Sequence, residues 1–303
     1  MHSSIDRVID DPQSDLFVIK LIPGKGYGMF AKRDLQCGTI IVCEKPLMKF
    51  PDGSPPWLLE AIYDKLDSET QRRIRFLSAS KPWKHPLDSI CETNSIPLAH
   101  GSEEKGVFYY ISMVNHSCES NTFWIWFDYN NKQEMKLIAD RRIKAGEELV
   151  CSYIERFQTR QRRHEFLQYT WLFKCQCHVC EQHEKDKELD EQYASLSKNY
   201  DYIMDFESKV SEEHIKRFLK SVKFVQEHYH NSLIQMFLLH LCILLPCCML
   251  KKWEDALKYA KKAIFLGRMI YDDDYERYLI TVKDIIMAKV PMKHRTGFDK
   301  YLV

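Results

Sequence analysis

Net charge of either sign is almost missing from this chain. Lys and Arg number 44 and Asp and Glu 43, leaving +1 overall. The basic excess that marks a nucleic-acid footprint is absent from the total, so no direct nucleic-acid partner is expected. Also missing is an unbroken apolar run of about 18 residues, the length a membrane-crossing helix needs. The most apolar stretch, NSLIQMFLLHLCILLPCCML (231–250), is interrupted by Gln235, His240 and Pro246. It reads as a buried helix ended by Pro246, and no membrane partner is expected. The opening MHSSIDRVIDDPQSDLF carries early acids and no apolar segment, so it does not read as a secretory signal. Between Glu181 and Gly267 there is no glycine, and helical patterning dominates there.

What is present is ordinary in bulk. The 303 residues, 45% hydrophobic and 29% charged, suit a soluble globular protein with one large domain or two smaller ones. Eleven cysteines are an odd count. Without an export signal they point to a reducing compartment, cytoplasmic or nuclear, and disulfides are not expected. Cys37, Cys43, Cys91, Cys151, Cys242, Cys247 and Cys248 sit among apolar residues and read as small core hydrophobes.

Along the chain, LFVIKLI and TIIVCEKPLM are β-branched strand candidates around a Gly-punctuated turn, GKGYGMF. After the breaker PDGSPP (51–56), Leu58, Leu59, Ile62, Leu66, Ile74 and Leu77 fall near helical spacing, predicting a helix over 57–77. Residues 81–104 read as irregular. FWIWFDY and EMKLIADRRI predict two strands joined by a turn at Asn130–Lys132, and IKAGEELVCSYI a turn and then a strand. A charged helix is expected over 158–169. From Lys251 on, a segment with Trp253, Ala256, Leu257, Ala260, Ala263 and Ile264 on one face resembles one tetratricopeptide-type helical hairpin.

The cluster FKCQCHVC places Cys175, Cys177 and Cys180 within six residues, among hydrophilic neighbours. A tetrahedral Zn²⁺ site takes four sulfur or nitrogen ligands. Three come from this loop and a fourth comes from elsewhere, with His178, His183 and the distant Cys118 as candidates. A dithiol redox role fits poorly, because C-x-C-x2-C has no βαβ context. The second chemical oddity is Asn115-His116-Ser117-Cys118, polar residues run against the aromatic stretch NTFWIWF, where buried polar groups need partners.

Four pieces in order, GKGYGMFA (24–31), NHSC (115–118), GEELVCSY (146–153) and CQCHVC (175–180), resemble the SET-domain protein lysine methyltransferases. TNSIPL (93–98), and SYI followed by a charged helix and YTWLFKCQCHVC, resemble the branch with SET and MYND domains. The MYND finger is missing, with a Cys-free helical insert in its place, and the helical C-terminal region is short for that branch. The resemblance implies an α+β fold: a β-rich SET domain of small sheets with knot-like C-terminal threading. It divides the chain into 1–50 and 93–169 (SET), 51–92 (insert), 170–184 (post-SET zinc loop) and 185–303 (helical region).

The resemblance also implies roles. S-adenosyl-L-methionine would contact Lys25, Gly26, Tyr27, Asn94, Asn115, His116, Tyr153 and Phe173. Tyr153 would be catalytic. Phe108, Tyr109, Cys151 and Trp171 would line the channel of the substrate lysine. One structural Zn²⁺ would sit on Cys118, Cys175, Cys177 and Cys180, with His178 the alternative to Cys118. The partner implied is a histone or another protein, and the helical region would form one wall of its cleft. The rival reading is a catalytically inactive, zinc-stabilised interaction module.

Overall fold

The computed structural model describes residues 8–9, 14–98, 102–128, 132–154, 157–196, 210–229, 232–271 and 290–291. The chain is α+β and divides into two units, Met1–Arg156 with Arg160–Lys185, and Phe157–Thr159 with Asp186–Val303.

In the first unit, β1 (Val8–Ile9), β2 (Phe17–Ile22) and β3 (Gly26–Ala31) run antiparallel, with Ile22 opposite Gly26. The turn between them is thus tighter than expected, and all of GYGMFA is strand. Gly24 and Gly26 have φ of 77° and 81°, a region open to glycine at little cost. β11 (Glu148–Cys151) extends the sheet along β3, and β8 (Asn115–His116) lies parallel to β11. The order β1-β2-β3-β11-β8 therefore sets three of the sequence motifs on neighbouring strands.

A second sheet has the order β4 (Ile40–Glu44), β10 (Glu134–Ala139), β9 (Thr122–Phe127). A third pairs β5 (Met48–Pro51) with β7 (Glu104–Val107) and β7 with β6 (Ser95–Pro97). Strands of the first and second sheets send Ile19, Met29, Leu137 and Leu149 into one core, where each is 0% exposed. Cys43 in β4 is exposed and Cys37, in the turn before that strand, is half-buried, so those two are not core hydrophobes.

The insert is broken where one helix was expected. α1 (Pro56–Tyr63) stops, and α2 (Ser68–Phe76) restarts because the Asp67 carboxylate accepts the peptide N–H groups of Glu69 and Thr70, both at 3.0 Å. α3 (Pro86–Asn94), begun by Pro86, and β6 occupy the stretch expected to be irregular. Leu59, Ile74 and Ile90 from these helices join the core of the sheets. After β11 come α4 (Arg160–Trp171) and α5 (His178–Lys185). The expected turn at Asn130–Lys132 lies mostly outside the described residues.

The second unit is helical in its described residues: α6 (Lys187–Ser195), α7 (Glu212–His228), α8 (Leu233–Met249) and α9 (Trp253–Tyr271). α8 runs through Pro246 rather than ending at it. A proline one turn before the end removes a single backbone bond, and the packing of Ile243, Leu244 and Cys247, all 0% exposed, outweighs that loss. No described helix is long and apolar enough to cross a membrane. The second helix of the expected hairpin, 272–289, lies outside the described residues.

Candidate active site

The parallel pair β8–β11 brings Asn115 opposite Val150 and His116 opposite Cys151. Just past β11 stands Tyr153. Its hydroxyl donates to the Val114 carbonyl at 2.7 Å, and its peptide N–H donates to Nδ1 of His116 at 3.0 Å. The ring centroids of His116 and Trp171 lie 5.3 and 5.0 Å from that of Tyr153. Burial pushes the Tyr153 phenol well above its ordinary range, so at neutral pH it is a hydrogen-bonding O–H and not a base.

His116 looks two ways. Since Nδ1 accepts from Tyr153, the hydrogen of the ring belongs on Nε2, which lies 3.4 Å from Cys118 Sγ. Cys118 Sγ is 3.5 Å from Cys180 Sγ and 4.0 Å from Cys175 Sγ, and the sulfurs of Cys118, Cys175, Cys177 and Cys180 all lie within 4.8 Å of one another. Four sulfurs at a Zn–S distance of about 2.3 Å in a tetrahedron stand about 3.8 Å apart, so the donor set fits a zinc ion. Hydrogen bonds within the set, those with Cys118 first, hold Cys175 far below the ordinary thiol range and bring Cys177 to about 6, while Cys118 and Cys180 go up, so the apo cluster favours thiolate at Cys175 and Cys177 and keeps protons on the other two. Thiolate is the form a metal binds. His178 is exposed and is not among the grouped ligands.

Two cations face this cluster. Arg163, 1% exposed, sets Nη2 3.7 Å from Cys180 Sγ, and Arg160 donates from Nε to the Cys180 carbonyl at 2.9 Å. Four thiolates around a divalent ion leave a net charge of about −2, which a buried guanidinium offsets. Between α4 and the thiol loop, Leu172 takes a φ of 61°. That left-handed residue follows the end of the helix at Trp171 and sits at the bend between Trp171 and Phe173. Trp171 anchors by donating from its indole N–H to the Thr93 carbonyl at 2.9 Å, and Phe173 lies 6.0 Å from the His116 ring.

Residues 26–154 match the family model described as SET domain. Histone-lysine N-methyltransferase set5 of Schizosaccharomyces pombe is 28% identical over 173 residues, 57% of this chain and 53% of that protein. Histone-lysine N-methyltransferase SET5 of Candida albicans is 32% identical over 117 residues, 37% of this chain and 24% of that protein. Histone-lysine N-methyltransferase SMYD3 of Homo sapiens is 33% identical over 102 residues, 33% of this chain and 23% of that protein. Residues 26–154 are a SET domain. The matched stretches span about half, or less, of the length of these relatives.

Within the SET domain, Asn115 ties the motifs together. Its Nδ2 donates to the Tyr27 carbonyl at 3.2 Å and to Glu148 Oε1 at 2.9 Å, binding β8 to the Gly-Lys-Gly-Tyr turn and to β11. Gly28 makes this approach feasible: a Cβ there would meet Ile22 Cδ1 at 2.4 Å and Asn115 Nδ2 at 2.8 Å. Lys25 is exposed on the turn, and Tyr27 stacks on Phe76 of α2 at 5.0 Å. Asn94, buried at 7% exposure, uses Nδ2 on the carbonyls of Ser78 and Ile90, both at 2.7 Å. The side-chain nitrogens of Asn94, Asn115 and His116 are thus committed within the protein.

The four channel residues do not converge. Trp171 lies against Tyr153, and Cys151 Sγ points to the Val114 carbonyl at 4.0 Å, the same oxygen that Tyr153 holds. Tyr109 instead lies beside Phe76 and Tyr110. Phe108 is 0% exposed against Trp126. A wholly enclosed ring offers no surface to a substrate, so Phe108 is a core residue and not a channel wall. Reasoning from sequence missed Val114, Arg163 and Phe76. A carbonyl carries no residue-type signal, whereas Arg163, on a helix beside the thiol loop, was visible as a cation near thiolates.

Proposed function

We propose that the protein is an S-adenosyl-L-methionine-dependent protein lysine N-methyltransferase of the cytoplasm or nucleus, acting on a histone or another protein. The observation that carries the proposal is the Tyr153 hydroxyl, fixed on the Val114 carbonyl between His116 and Trp171 within a SET domain. The relatives' names, all histone-lysine N-methyltransferases, support the same reaction class.

When bound, the cofactor supplies an electrophilic methyl on a sulfonium. The attacking lysine must arrive as a neutral amine, since an ammonium has no lone pair. The apolar faces of Tyr153 and Trp171 disfavour the charged form by withholding water. The protonated Tyr153 phenol aligns the reacting groups, which is catalysis by position and fixed dipoles. Lys25, Gly26, Tyr27, Asn94, Asn115, His116 and Phe173 would hold the cofactor, Phe173 by its ring face. Zn²⁺ on Cys118, Cys175, Cys177 and Cys180 would hold the bend that carries Trp171 and Phe173.

The test is mass spectrometry of a histone mixture incubated with the protein and deuterated-methyl cofactor. Labelled methyl on lysine side chains is the expected result. Cofactor-product binding without transfer to histones or to a whole-cell protein extract would favour the inactive interaction module.

A further inference from the structure

Glu44 closes β4, and its carboxylate meets three successive peptide N–H groups. Oε2 accepts from Tyr109 at 3.1 Å and Tyr110 at 3.2 Å, and Oε1 accepts from Ile111 at 2.7 Å. These donors open the single 3-10 turn Ile111–Met113. Within the turn, Met113 N–H donates to the Tyr110 carbonyl at 3.0 Å and Val114 N–H to the Ile111 carbonyl at 3.1 Å. The next acceptor is the Val114 carbonyl, which holds the Tyr153 hydroxyl. An unbroken series of hydrogen bonds and two residues of chain therefore joins Glu44 to the phenol.

The rest of the neighbourhood stiffens this path. Ile111 and Met113 are buried, the Tyr110 ring lies edge-on to Phe17 at 5.4 Å, and Arg73 of α2 stands over the Tyr109 ring at 5.3 Å. Arg73 is the charged side chain that acts on the carboxylate, and it favours the ionised form. A neutral residue of the same shape would fill the space, but it would offer one acceptor where three donors converge. A carboxylate offers two oxygens and negative charge at the start of a helical turn, where backbone N–H groups are concentrated.

We infer that Glu44 is a positioning residue for the methyl transfer, mooring the Tyr109–Val114 segment so that the Val114 carbonyl fixes the Tyr153 hydroxyl. The inference rests on the proposed function and adds a residue far from the motifs that suggested it.

The test compares wild type, Glu44→Gln, Tyr153→Phe and the double variant at pH 8. Cofactor-product affinity is measured by calorimetry, methyl transfer in single turnover, and amide hydrogen exchange over 105–116. In Glu44→Gln, exchange at Tyr109–Ile111 should quicken about tenfold, the scale of a lost charge-assisted hydrogen bond. The transfer rate should fall at least about tenfold, as small misplacements of a reacting group do, with cofactor-product affinity within about twofold. On the Tyr153→Phe background the same change should cost less than about twofold in rate, because the hydroxyl it positions is gone.

A transfer rate in Glu44→Gln within about twofold of wild type would overturn the inference, whatever the exchange shows. So would an undiminished effect in the double variant. Failure of the wild type itself to transfer methyl would overturn the proposed function and this role together, and it would be seen before any variant is compared.

Discussion

Replacing Glu44 by Gln tests the environment of that carboxylate through stability. Burial raises its pKa to about 7 from an ordinary 4.5, against the lowering effect of three peptide N–H groups and Arg73. A raised folded pKa means that the group's stabilising contribution is complete below the unfolded value. It is lost as pH climbs to the folded one. Between pH 5 and pH 8 that loss amounts to about 2.5 kcal/mol at 1.36 kcal/mol per unit. Screening at the part of the residue that stays exposed reduces it to about 2 kcal/mol. Glutamine does not ionise, so Glu44→Gln should gain about 2 kcal/mol on the wild type over that interval, read from urea midpoints at pH 5, 6, 7 and 8. The lowered carboxylates Asp34, Asp52 and Glu69 are common to both proteins and cancel. Parallel curves for the two proteins would refute the argument. A charge retained at such a cost, beside a loss of transfer on its removal, would be a trade of stability for a positioned site.

Cys118→Ser should lower zinc content below about one ion per chain and slow transfer, because the thiolate set drops from four to three; full zinc content measured by inductively coupled plasma mass spectrometry would point to another fourth ligand. Gly28→Ala pushes a methyl into Ile22 and Asn115, and overpacking of this kind destabilises by about 1–3 kcal/mol. Its melting temperature and cofactor-product affinity should both fall, and an unchanged affinity would separate Asn115 from the cofactor site.

Much of the sheet architecture was legible, since the β-branched residues of LFVIKLI and TIIVCEKPLM favour strands and β2 and β4 form there. The four thiols were legible as residue types, but only the fold shows that Cys118 reaches Cys180 across 62 positions. The break in the insert escaped the apolar spacing because one local carboxylate, Asp67, restarts the helix. Phe108 and Tyr109 were adjacent aromatics before a motif, and both lie in the irregular stretch just past β7, where no periodicity sets which way a side chain faces. So one ring entered the core while the other met α2. Val114 could not be read at all, because its contribution is a backbone oxygen.

The role of Tyr153 is tested most directly by single-turnover methyl transfer from labelled cofactor in wild type and Tyr153→Phe. Phenylalanine keeps the ring against His116 and Trp171 and removes only the hydroxyl held on Val114. The expected result is a rate loss of about 10² or more with cofactor-product affinity within about twofold. A rate within about twofold of wild type would contradict it.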